Sequence, residues 1–299
     1  MMSFIHLTLM QPKHLALVLL VMVLYGSAYP VGKIGTLDAP PLFLSAMRVL
    51  CVFLFFLPFF KFRLPPRQLY LPLVGFAASM GVCTYAFMYY ALSFTSIVAP
   101  IIIGAQLAIP FGLILSLIFL KEEISLFKWT LIFFAFAGIV VIAYDPNFIN
   151  ERIALIFCIL MAFFYALANM MARRLKDIDT SVLNGWCNFL AFFPLIIASF
   201  ILDGNPINII TNLNNSTFIV ILHASLIVSV IGHAGMFYLY RFYPVAMVLP
   251  FYSLFPIFGI ILTYLMFREI LTMQQFIGSV LVIGSVYLIH CENKKEMGV

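Results

Sequence analysis

The chain has 299 residues, of which 65% are hydrophobic and 9% charged, with a formal net charge of +5 and a mean hydropathy of +1.14. Soluble domains carry about 25% charged residues, so an ordinary cytosolic domain is excluded. The positive excess falls in a few loops and reads as membrane topology, which makes the lipid bilayer an expected partner and leaves nucleic acid out.

A spanning helix needs about 20 mostly apolar residues. Ten runs reach that length: 13–33, 40–60, 70–92, 96–119, 126–144, 152–173, 181–202, 217–241, 245–267 and 273–290. They lack the period-two alternation of barrel strands and are too long for them, so the expected fold class is an all-α membrane protein of ten transmembrane helices. The first run, with Lys13 and the cleavage-like Gly26-Ser27-Ala28, also has the outline of a signal peptide. Its loose companion in the second half (Tyr25 to Lys33 beside Tyr165 to Arg173) favours a retained helix. Runs four and nine each hold two prolines, Pro100 and Pro110 in one, Pro250 and Pro256 in the other. A proline inside a helix removes a hydrogen bond and kinks the axis. A bilayer tolerates this where the backbone lines a cavity or packs on protein.

The same two runs carry the clearest internal repeat. FGLILSLIFLKE, Phe111 to Glu122, recurs 147 residues later as FGIILTYLMFRE, Phe258 to Glu269. The expected units are therefore residues 1–145 and 146–290, five helices each, followed by a polar tail, 291–299. With the N-terminus in the cytoplasm, twelve of the sixteen basic residues fall on that side. They are Lys13, Lys61, Arg63, Arg67, Lys121, Lys128, Arg173, Arg174, Lys176, Arg241, Lys294 and Lys295, against Lys33, Arg152 and Arg268 opposite. The positive-inside rule then puts both termini in the cytoplasm. An odd number of helices per unit makes the second copy enter from the other side, with Glu122 on the cytoplasmic face and Glu269 on the outer one. That is the layout of inverted-repeat transporters.

All eleven carboxylates fall in expected loops, helix ends or the tail. Ion coupling through an intramembrane carboxylate is therefore disfavoured. The five cysteines, Cys51, Cys83, Cys158, Cys187 and Cys291, lack metal-like spacing and read as packing thiols. The chain has no glycine-rich phosphate loop, no metal-spaced His/Cys set and no nucleophile–base pair, so neither an enzyme nor a cofactor is expected.

The polar residues inside the runs are the candidate substrate-binding set: Arg48, Gln106, Asn169, Asn188, Tyr85, His233 and Tyr252. Arg48 lies eight residues into run two, roughly 12 Å deep at about 1.5 Å per residue. It is either a counter-charge for an anionic group or an arginine that bonds helix-end carbonyls and snorkels. Gln106, between two prolines, suits a hydrogen bond to substrate or to a neighbouring helix, and Asn169 and Asn188 offer the same choice. His233, flanked by Gly232 and Gly235, is the one residue placed to carry a proton near mid-membrane, or else an interhelical donor. Tyr25, Tyr85, Tyr252 and Trp186 suit the wall of a cavity for an amphipathic metabolite.

The ten runs, the five-plus-five repeat, the Phe119–Ser125 signature closing run four with its looser counterpart at Phe267–Thr272, and Pro40-Pro41 ahead of Arg48 resemble the drug/metabolite transporter superfamily, EamA family. Gly104-Ala105-Gln106, Ala168-Asn169 before Arg173-Arg174, and the stretch Ser199 to Gly204 are similar to its bacterial cysteine/O-acetylserine exporter group. Lys121 and Arg268 depart from the glycine usual before each repeat's glutamate, and His233 stands where that group tends to carry an aromatic. The resemblance implies a secondary carrier of small metabolites in the inner membrane, working by alternating access through a central cavity. Efflux of amino acids or their derivatives is the leading expectation. Import of an amino acid or nucleoside-like compound is the alternative within transport, and a membrane enzyme or scaffold the alternative outside it. A homodimer is compatible with all of these.

Overall fold

A computed structural model describes residues 10–296 apart from 61–63, 122, 147 and 244–247. The described residues form helices and connecting turns, with no strand. Ten principal helices follow one another: α1 Pro12–Thr36, α2 Pro41–Phe60, α3 Arg67–Ser93, α4 Ala99–Phe119, α5 Leu126–Ala143, α6 Ile149–Arg174, α7 Thr180–Leu202, α8 Asn215–Met236, α9 Phe251–Phe267 and α10 Met273–Glu296. Among the described residues, nine are long and apolar enough to cross a bilayer and α9 is shorter. A single short helix, Pro206–Thr211, lies between α7 and α8.

The ninth run is shorter than expected because its start is not α-helical. Leu249–Leu254 is wound as a 3-10 helix, and the α-helix begins at Phe255 with Pro256 in its first turn, where the missing N–H costs nothing. In α4 the two prolines bracket a 3-10 turn at Ala105–Leu107. The tenth helix continues to Glu296, so residues 291–296, expected to begin a polar tail, extend α10 instead. Glu122, Lys61 and Arg63 lie outside the described residues.

Two further irregularities are 146 positions apart. α3 widens to a π-helix at Ala77–Thr84 and α8 at His223–Gly232. Within each, a hydroxyl donates to the carbonyl five residues back, Thr84 Oγ1 to Ser79 O at 2.7 Å and Ser229 Oγ to Ala224 O at 2.9 Å. Such bulges recur at functional sites, because the extra residue per turn re-aims the side chains beyond it.

Several of the most extensive helix contacts keep their partners when the first five helices are exchanged for the second five. α2 packs on α7, and α5 on α10; α1 touches α8 and α9, as α6 touches α3 and α4; α2 meets α8, as α7 meets α3. Gly26 and Gly259 allow α1 and α9 to cross closely: a Cβ on Gly26 would sit 2.6 Å from Phe255 O and 2.7 Å from Gly259 N. The largest apolar cluster, with Phe43, Leu44, Tyr89, Ile101, Ile102 and Phe148 fully buried, fills the space between both sets of helices.

Candidate functional site

Eight of the ten helices, with α2 contributing Arg48 and α10 His290, surround a central cavity of about 330 Å³. That is at the lower end of the size range of small-molecule sites. Its wall is mainly apolar and aromatic. Tyr25, Ala28 and Tyr29 come from α1, Met80 to Met88 from α3, Ala105 to Ile109 from α4, Met161 to Asn169 from α6, and Tyr252 and Phe255 from the α9 segment. Six of the seven candidates from sequence therefore meet here: Arg48, Tyr85, Gln106, Asn169, His233 and Tyr252. Asn188 does not. It is buried in α7 and its Nδ2 donates to Asn184 O at 2.8 Å, one turn back in the same helix. Trp186 is also away from the cavity, edge-on to Phe189 with ring centroids 5.7 Å apart.

Arg48 is 4% exposed. Its Nε and Nη2 both donate to the Ser229 hydroxyl, at 3.3 and 3.0 Å, and its guanidinium carbon lies 4.0 Å from the centre of the Tyr85 ring. The negative face of that ring attracts the cation, by about 2 kcal/mol when water is excluded. Nη1 is buried with no hydrogen-bond partner, and the Tyr89 hydroxyl lies nearby. Ser229 thus bonds in two directions, taking the arginine and giving its own proton to the widened turn of α8.

The carbonyl of the same Ser229 lies 2.5 Å from His233 Nδ1. A carbonyl only accepts, so Nδ1 carries the proton and Nε2 is left for another partner. The Tyr25 ring spans the gap between His233 and Tyr252, 5.7 and 5.8 Å away centroid to centroid. Gly232 makes room for it, since a Cβ there would stand 2.7 Å from Tyr25 Cε1. Gln106, 2% exposed in the 3-10 turn of α4, donates to Tyr252 O at 3.4 Å and ties α4 to the α9 segment across the cavity.

Several wall residues were not singled out in the sequence, among them Tyr29, Tyr165, His290 and the arginine's partner Ser229. Tyr165 precedes Asn169 by one helical turn, as Ser229 precedes His233, and that spacing was the available signal. His290 escaped because it sits next to the last expected helix end.

Measured along α6, the wall runs from Met161 to Asn169, toward the end that carries Arg173 and Arg174. At the other end of the bundle, loops and helix termini close on one another. Lys33 Nζ donates to Leu92 O and Thr95 O at 2.9 and 2.6 Å. Glu269 accepts from Val98 N at 2.9 Å, Asp203 from Phe43 N at 3.0 Å, and Asp38 from Asn214 N at 3.1 Å, each carboxylate meeting the start of a helix from another part of the chain. Asp145 accepts from the Thr272 hydroxyl. Burial pushes the Glu269 carboxyl above its usual range, against the pull of the Val98 and Ala99 N–H groups. Burial likewise raises Asp203. No group of three or more His, Cys, Asp or Glu suited to a metal ion occurs among the described residues.

A family model described as "EamA-like transporter family" matches residues 13–144 and again 152–291. The chain belongs to the EamA-like transporter family. It is accordingly a multi-pass membrane protein of a transporter family. A protein of Escherichia coli (strain K12) named "Probable amino-acid metabolite efflux pump" is 25% identical over 93% of this chain and 95% of its own length. A protein of the same name from Salmonella typhimurium is 23% identical over 91% and 93%. A solved crystal structure is similar with a TM-score of 0.60 at 15% identity, covering 95% of this chain and 98% of that one, a likeness of fold alone. The family match falls twice on the chain, with its break inside the turn between α5 and α6.

Proposed function

We propose that this EamA-family chain is an inner-membrane secondary transporter that exports amino acids or their derivatives by alternating access, and that it is not an enzyme. The observation that carries the reading is Arg48, a buried guanidinium in the wall of a central cavity with one donor nitrogen unpartnered. An unpaired buried charge costs several kcal/mol, and a substrate carboxylate offsets that cost when it binds. Export is supported by the efflux naming of the two relatives, and amino-acid chemistry by the same names.

Alternating access is supported by the symmetry of the packing. Two inverted five-helix repeats, 1–145 and 146–290, account for the extensive helix contacts that survive exchange of the halves and for π-helical segments that begin 146 positions apart. Rocking one repeat against the other would close the end near Asn169 and loosen the carboxylate contacts at the opposite end. The basic residues favour the cytoplasmic side for both termini and for the Arg173 end of the bundle, and the contacts that close the opposite end support an inward-facing reading of this state.

Counterflow in proteoliposomes tests the proposal without assuming a direction or a coupling ion. Vesicles loaded with unlabelled cysteine, O-acetylserine, threonine or N-acetylcysteine should accumulate the labelled compound above protein-free controls for at least one of the four. Folded protein that gives no counterflow with any of them would remove the amino-acid assignment.

A further inference from the structure

We propose that the substrate is a net-anionic carboxylate whose amino group is capped or absent, such as an N-acylated amino acid or a 2-oxo acid, rather than a zwitterionic amino acid. This rests on the transport reading above and narrows its substrate class.

The inference comes from the charges that face the cavity. Among the described residues lining it, none is Asp or Glu, and the one fixed charge is that of Arg48. The titratable His233 and His290 also line it, and in either protonation state they add zero or positive charge. Asp38, Asp145, Asp203 and Glu269 sit instead at the far end of the bundle, engaged with helix starts and hydroxyls, and Asp179 caps the start of α7 outside the cavity. A carboxylate group entering the cavity therefore meets the Arg48 cation in the wall, while an ammonium meets no counter-charge. The remaining polar groups of the wall, Asn169, Gln106 and the tyrosines, orient a ligand but carry no charge to offset one.

The arithmetic favours one net negative charge. An anion of charge −1 brings the cavity to neutrality with Arg48. A zwitterion leaves its ammonium without a counter-charge against a mainly apolar wall, which is a penalty of at least about tenfold in affinity. A cationic ligand adds repulsion from Arg48 to that penalty. The apolar wall, with Met80, Met88, Met161, Ile109, Val228 and Phe255, accepts the side chain of a medium-sized apolar amino acid once its head group is suitably charged.

The test is ligand binding to the purified full-length protein in detergent, using four matched probes: leucine, N-acetyl-leucine, 4-methyl-2-oxopentanoate and leucinamide. The two anions should bind at least about tenfold more tightly than leucine, with leucinamide weakest. Arg48→Gln should collapse the ranking, and Arg48→Lys, which keeps the charge, should retain part of it. Leucine binding as well as or better than the anions would overturn the proposal while leaving the transport reading in place. Absence of binding by all four would overturn both. The ranking on the unmodified chain decides even if Arg48→Gln fails to fold.

Discussion

Arg48 holds its position through two contacts of different kinds. The Ser229 hydroxyl anchors one edge of the guanidinium, and the Tyr85 ring supports its face. The edge bearing Nη1 is buried, with the Tyr89 hydroxyl nearby. If the ring face matters, Tyr85→Phe should leave affinity for a carboxylate substrate within about threefold, because the aromatic surface stays. Tyr85→Leu should lower it about tenfold, the scale of a desolvated cation–π contact. Equal losses in the two variants, read by binding titration, would assign the effect to the hydroxyl instead. Arg48 was legible in the sequence because a charge is rare inside an apolar run. Ser229 was not, since hydroxyls are common in such runs, and its aim depends on the π-helical widening of α8, which no residue type announces. Asn188 shows the opposite outcome: its composition suggested a ligand, and its own helix supplied a partner.

The ends of α4 and α9 explain a feature of the sequence that spacing alone left open. Lys121 and Arg268 adopt φ of 55° and 58°, the left-handed conformation, and their N–H groups close the helices on Ser116 O and Tyr264 O. A side chain in this conformation costs about 1–2 kcal/mol, which is why glycine suits the position. In sequence, the two residues stood out only as departures from the glycine that the family resemblance gives this position, and the left-handed backbone supplies the physical reason for that glycine. Lys121 is exposed. Lys121→Gly should therefore raise stability by about 0.5 kcal/mol, the relief of strain less the larger unfolded-state entropy of glycine. Lys121→Val should lower it, because β-branched residues resist the left-handed region most. Thermal unfolding in detergent checks both, and an unchanged midpoint in the two variants would mean that the cap relaxes without strain. Helices α4 and α9 were expected as the kinked elements of the path, and the 3-10 turns beside their prolines supply two wall residues, Gln106 and Tyr252, bonded to each other across the cavity.

At the scale of the molecule, the central cavity and the closed end are two features of one arrangement. The helices that line the cavity toward the Arg173 end are the same ones whose opposite termini are pinned by Lys33, Glu269, Asp203 and Asp38. Composition and run length made the helical membrane fold legible, because the bilayer permits few alternatives. The repeat was legible at runs four and nine, where Phe-Gly and the basic-Glu pair recur. Elsewhere the repeat was not legible, since many apolar residues fill a given lipid-facing or interhelical position equally well. The most direct measurement is the accessibility of Met88, a cavity residue on the α3 segment leading to the closed end, after replacement by cysteine in a chain whose five native cysteines are substituted. Membrane-impermeant maleimide should label Met88→Cys from both faces of oriented vesicles, with the ratio shifted by a transported compound. Labelling from the Arg173 face alone under every condition would contradict alternating access and leave a one-sided pocket in its place.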